Sequence, residues 1–289
     1  MEILTRAAII TSLFIPYLAP SVLTAGPLTQ AHVTKIFNQV QVVDPRSGSH
    51  SASLDEVIKD EIGLKTGVKS RSELLFEDNT LTRIGPETFF TFKAGTRDMT
   101  LQKGTMLLQV PKGLGGAKIR TAAITASITG TTIMIEHTPG KTLKVLVLEG
   151  SLRLSVNGTF GDALVLTPGR MVIMRPDAKR IPDPVAVDLA RVVRTSSLVK
   201  MDKKQGAPLP SIDLINKEIA VQQHEKGRAN LIATNLVIEG HGTNVMLASD
   251  EVLGTIEQRT RGSDDPFLLV SNSNGNGHHG RPSPTPNPS

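Results

Sequence analysis

Glycines recur through the middle of the chain at Gly85, Gly95, Gly104, Gly113, Gly130, Gly140, Gly150, Gly158 and Gly169, most of them 8 to 11 residues apart. That interval is the length of one short strand plus its turn. Between the glycines lie aliphatic and β-branched runs, densest in Ile119–Glu136, IRTAAITASITGTTIMIE. β-Branched side chains suit a pleated surface better than a helix. The stretch Ser70–Pro176 therefore predicts many brief strands sharing one core, and the rest of the chain reads as attachments to it.

Ala31–Val43 alternates as a strand, with Val33, Ile36, Val40 and Val42 set against Thr34, Gln39 and Gln41. Asp44–Ala52 is a loop by composition. Val57–Gly67 and Ser70–Phe76 follow, then a turn at Asp78-Asn79 and a return along Thr80–Ile84. Phe90 and Phe92 fall on one face of the strand ending near Lys93 and Phe89 on the other, a spacing that reads as core. Pro139-Gly140 is a turn. Leu143–Leu148, LKVLVL, is nearly continuously apolar, as a strand covered on both faces should be. Asn157-Gly158 is the strongest short hairpin signal. Leu164–Leu166 and Met171–Met174 flank Pro168-Gly169 and close the block.

The period then changes. Asp183-Pro184 reads as N-cap and first helical residue, with Val185, Leu189, Val192 and Val193 at helical spacing. A helix over Pro184–Arg194 would pack across an open end or edge of the β block. Ser211–Lys226 predicts a second helix, with Ile212, Ile215 and Ile219 on one side and Gly227 at its end. Leu231–Ile238 and Val245–Ile256 fit short helices or strands equally. From Gly262 onward Ser, Asn, Gly and Pro leave little to bury, which predicts a disordered tail. At the other end Met1–Ala25 reads as a secretory signal: Arg6, then an apolar Ala7–Leu18 interrupted by Pro16, then small residues near Ala19, Ser21 and Ala25. Gly26 stands where a lipidated cysteine would be needed, which excludes a lipid anchor at that point. The expected organisation is a signal at 1–25, a β domain at 31–182, a helical or mixed segment at 183–258 and a tail at 262–289. The fold class is mainly β: a single solenoid-like or sandwich-like body of short strands, with the solenoid form favoured, followed by one or two α-helices.

Absent residue types narrow the chemistry. With no cysteine there are no disulfides, thiolate-bound metals or thiol catalysis. The formal charge of +5 permits an anionic partner, but Lys and Arg are scattered and interleaved with acids, which fits a solvated surface better. Trp is absent and the single Tyr, Tyr17, lies in the expected signal, so stacking on bases or sugars is not favoured.

Fragments of catalytic signatures occur without their context. Ser197-Leu198-Val199-Lys200 fits S-x-x-K and Lys65-Thr66-Gly67 fits K-T-G, but the second precedes the first, against the order of the penicillin-recognising enzymes. Gly113-Leu114-Gly115-Gly116 lacks a following Gly-Lys-Ser/Thr and reads as a hairpin loop. Glu136 and His137 are adjacent, so on a strand they face opposite ways. His278-His279 lie in the tail, and Asp60-Glu61 and Asp264-Asp265 read as solvated faces. No residue is nominated as catalytic, cofactor-binding or metal-binding, and no cofactor is expected.

Six segments in order carry a resemblance: Thr66–Leu74, Thr80–Gly85, Lys103-Gly104 with Val110-Pro111, Ile119–Ala122 through Ile128–Thr131, Leu148-Glu149-Gly150, and Leu166–Gly169. Over about Ile36 to Pro182 the chain resembles the FecR-domain family. Its best-known members form the periplasmic sensing part of cell-surface signalling regulators of the iron-citrate type. Thr129 stands where many relatives carry Arg. Those regulators place a cytoplasmic sigma-factor-binding segment and a membrane helix ahead of the domain, whereas here the domain follows the export signal almost at once. The resemblance implies fold and compartment before it implies sigma-factor control. The expectation is a non-enzymatic periplasmic or secreted protein that binds or scaffolds an envelope protein or cell-wall polymer. It should bind no nucleic acid and keep no stable membrane insertion after signal cleavage. The alternative is a sensor acting through a separate membrane partner.

Overall fold

A computed structural model describes residues 26–158, 162–201 and 208–225. The expected signal, the tail and the ambiguous segments 231–238 and 245–256 lie outside the described residues. The 17 strands among the described residues join in one continuous sheet, which is folded into two layers. β1 (Ala31–Phe37) lies in the first layer, β2 (Val40–Asp44) and β3 (Gly48–Ser51) in the second, β4 (Val57–Ile58) in the first and β5 (Gly63–Thr66) in the second. β6 (Arg71–Phe76) and β7 (Leu81–Ile84) form a hairpin in the first layer. β8 (Phe89–Lys93) pairs in the second layer with the start of β9 (Asp98–Gln109), whose end pairs with β7 in the first. β10 (Gly116–Arg120) and β11 (Ile124–Thr129) then extend the second layer, and β12 (Thr132–Thr138) and β13 (Thr142–Glu149) the first. β14 (Leu152–Val156) and β15 (Ala163–Leu166) finish the second layer, and β16 (Arg170–Met174) and β17 (Val185–Ala186) the first. Every named pairing is antiparallel except β9 with β10. The sandwich-like form, rather than stacked coils, is the one these pairings build.

β9 ties the layers together because Gly104 allows it to bend. Its φ is +95°, and a Cβ there would stand 2.4 Å from the Cα of Thr88. The Thr88 hydroxyl fixes the bend by accepting from the Thr105 amide at 2.9 Å. Between the layers one apolar cluster joins Leu74, Phe76, Ile84, Ile133 and Val145 of the first to Phe90, Phe92, Ile119, Ala126 and Leu154 of the second. Phe76 and Phe92 meet edge to face with centroids 5.0 Å apart.

The opposite face of the first layer is also apolar, with Leu107, Met134, Leu146 and Met171 packed under Leu189, Val192, Leu198 and Ile215. These belong to helices α1 (Leu189–Thr195), α2 (Ser197–Lys200) and α3 (Ile212–Glu225). β13 is consequently buried at every position, as its unbroken apolar run predicts. The second layer has no such cover among the described residues, and β11 and β14 alternate buried with open positions. The two layers are called here the covered sheet and the open sheet.

Several local expectations are corrected. Ala31–Val43 is two strands in different layers, divided at Asn38, whose φ of 56° turns the chain. Within the expected loop Asp44–Ala52, Gly48–Ser51 pairs with β2 as an exposed edge strand; backbone pairing there overrides a polar composition. Gly113–Gly116 is a crossing from the covered sheet to the open one, since β10 pairs parallel with β9 and not back along it. The β14–β15 hairpin forms, but pairing stops at Ser155↔Ala163, so its connection is longer than an Asn-Gly turn. The first helix begins later than expected. Val185 and Val187 alternate inward along β16, the Val187 amide donates to the Gly169 carbonyl at 2.8 Å, and Asp188, not Asp183, caps α1. Val185 and Leu189 satisfy both a two-residue and a helical period, and the strand won the first of them. This helix lies on the face of the covered sheet, and β17 takes the edge. Ser211–Lys226 is a helix as expected, over Ile212–Glu225.

Candidate functional site

The covered sheet carries a row of side chains running across its strands beneath the helices: Lys35, Glu73, Arg83, Leu107, Met134, Leu146 and Met171 are successive cross-strand partners. One end of that row is charged and closed off. The Glu73 carboxylate accepts from Lys35 Nζ at 2.6 Å, Arg83 Nε at 2.7 Å and the Thr34 hydroxyl at 2.9 Å. Burial acts to raise the Glu73 pKa, and the Lys35 hydrogen bond and Arg83 charge outweigh it, holding the carboxyl below its usual range. Burial lowers the Arg83 pKa against the opposing pull of Glu73.

Arg83 also reaches out of the sheet. Its Nη1 donates to the carbonyls of Leu198 at 2.8 Å and Val199 at 2.9 Å, the free acceptors at the end of α2. A buried guanidinium thus links the β body to the helices. Two further contacts strengthen that seam. The Thr132 hydroxyl meets Ser211 Oγ at 2.7 Å, and Gln222 accepts from the Leu189 amide at 3.0 Å while donating to the Val187 carbonyl at 2.7 Å.

Glu149 sits beside this seam, 3.8 Å from Lys112. Burial raises its pKa, partly offset by Lys112 and by the Thr132 hydroxyl. Glu136 pairs with the buried Lys144 at 2.8 Å, while His137 points to the other face, its Nδ1 3.4 Å from the Leu101 carbonyl. The two residues therefore face apart, and burial lowers the His137 pKa against that carbonyl contact. Ser197 and Lys200 share α2 on the covered side, whereas Lys65 is exposed on the open sheet and the Thr66 hydroxyl donates to the Gly85 carbonyl. The S-x-x-K and K-T-G fragments are not brought together. Asp60 accepts from the Ala94 amide and Glu61 is exposed, and the two do not meet as a carboxylate pair. His278-His279 and Asp264-Asp265 fall outside the described residues. Among the described residues no group of three or more His, Cys, Asp or Glu is placed to hold a metal ion, and no helix is long and apolar enough to cross a membrane.

The open sheet presents a different surface. Lys93, Asp98, Lys118, Ser127, Arg153 and Val165 are successive cross-strand partners along one row. Thr91, Thr100, Arg120, Thr125 and Ser155 form the next. Their neighbours in sequence, Phe92, Met99, Ala117, Ile119, Ala126 and Leu154, point into the core. Sequence reasoning nominated none of these polar residues.

The motifs that carry the resemblance now have structural roles. Glu73 and Arg83 make the buried pair, Gly104 makes the β9 bend, and Gly130 makes the change of layer between β11 and β12. Residues 63–153 match the FecR protein family. The matched stretch runs from β5 to β14, narrower than the Ile36–Pro182 span read from the sequence. The family resemblance is borne out over that stretch. No curated protein sequence matches the chain. Among solved structures, two crystal structures of a candidate anti-sigma factor from Parabacteroides distasonis ATCC 8503 are similar at 11% identity, covering 46% of this chain, with TM-scores of 0.39 and 0.38. The alignments span 65% and 64% of those chains.

Proposed function

We infer that the protein is the exported sensing module of a bacterial cell-surface regulatory system, acting through a separate membrane partner. The observation that carries this reading is the FecR match over residues 63–153. It favours regulation over the binding or scaffold role that the sequence first suggested. The helices packed on the covered sheet supply the physical means. Arg83 and Gln222 couple them to the β body, so a change in the body alters the surface that a partner would read. The role requires recognition and not bond chemistry, and no catalytic residue is assigned. The test is transcript profiling of a strain lacking the gene. The expected result is a discrete sigma-factor-dependent set that changes and is restored by the wild-type copy. Unchanged sigma-factor-dependent transcripts would overturn the reading.

A further inference from the structure

We propose that the open sheet is a docking face for a linear anionic polysaccharide. Lys93, Lys118 and Arg153 are exposed and stand on alternate strands of a single cross-strand row. With strands about 4.8 Å apart, their backbones repeat every ~10 Å. The acid in the row, Asp98, is engaged by Arg120, whose Nη2 and Nε lie 3.0 and 3.2 Å from one carboxylate oxygen. Lys93, Lys118 and Arg153 have no acidic partner among the described residues. The row of hydroxyls alongside, Thr91, Thr100, Thr125 and Ser155, adds donors and acceptors suited to a glycan. A surface depression of about 390 Å³ beside Lys118, lined by Arg97, Gly116, Ser127 and Thr129, gives the face relief.

The arrangement selects among anionic partners. Cations spread in a line do not converge on one small anion, and each exposed charge alone contributes little. A chain with repeated carboxylates engages several at once, and the contacts then reinforce one another. Among the described residues of this face the one aromatic side chain directed outward is Phe89, and it is half-buried, so those residues offer no platform for unstacked bases. Among the described residues Val165 is the exposed large apolar residue on the strands of this face, too little for insertion among lipid headgroups.

Binding of the purified protein to immobilised polygalacturonate, with uncharged dextran as control, tests this independently of any transcriptional effect. A binding result leaves the regulatory reading to its own experiment, and a transcriptional failure leaves the docking face standing. The expected result is saturable binding to polygalacturonate that weakens with added salt. Combining Lys93→Glu, Lys118→Glu and Arg153→Glu should weaken it at least tenfold, with the corresponding Gln set intermediate. The same charge change placed on the helices of the opposite side, Arg194→Glu with Lys200→Glu and Lys217→Glu, should leave it within about twofold. No binding, or equal losses from both Glu sets, would overturn the proposal. So would tighter binding to phosphatidylglycerol vesicles or duplex DNA than to polygalacturonate.

Discussion

The guanidinium of Arg83 is shared between two parts of the fold, and its loss should be felt in both. Arg83→Met removes one of the two cationic partners of a buried carboxylate and the donors to two α2 carbonyls. Breaking a buried pair from one side typically costs 3–5 kcal/mol, and because Lys35 remains on Glu73 a loss of about 3 kcal/mol is expected in urea unfolding. Arg83→Lys should recover only part of it, since an ammonium cannot serve Glu73 and both carbonyls in the same fork geometry. Glu149 predicts the opposite sign. A carboxyl whose folded pKa is raised favours folding below its ordinary value of 4.5 and loses that contribution as pH rises through the folded value. Glu149→Gln should therefore raise the melting temperature at pH 8 by about 2–4 °C, the size of about 1 kcal/mol in a domain of this length, and the gain should shrink toward pH 4. Melting curves displaced equally at pH 8 and pH 4 would contradict the assignment.

At the scale of elements, the decisive device is a strand that belongs to both layers. Gly104→Val would place a β-branched side chain at positive φ against the Thr88 backbone. It should destabilise by at least about 3 kcal/mol. Gly130→Val, at φ +57° with Lys112 Cγ 2.7 Å from the new Cβ, should cost about 2 kcal/mol. Wild-type-like thermal unfolding of either variant would contradict the placement of these turns. Strands, turns and the doubly covered β13 were legible because each depends on residues within ten positions of one another. The layer to which a strand belongs was not. Asn38 lies inside a run that alternates as one strand and Gly113–Gly116 looks like a hairpin loop in sequence, and only the pairing of distant strands makes them crossings. The basic row was illegible for the same reason. Alternation marks Lys93, Lys118 and Arg153 as outward-facing, each beside core residues, but they are scattered in sequence, and the register that aligns them is a property of the whole sheet. Glu73 and Arg83 were visible as motif members, yet a charged residue on a short strand gives no sign that a helix will bury it.

At the scale of the molecule, the two layers have unlike outer faces among the described residues, one sealed by α1–α3 and the other open and basic. The division is compatible with the proposed sensing role, one surface left for what is sensed and another coupled to what responds. Lysine acetylation of the folded protein, read residue by residue by mass spectrometry, measures that asymmetry directly. Lys65, Lys93 and Lys118 on the open sheet should react at once, whereas Lys144, 1% exposed in its side chain and paired with Glu136 on the covered sheet, should react only as fast as the body opens. Labelling of Lys144 together with Lys118 under native conditions would contradict the account.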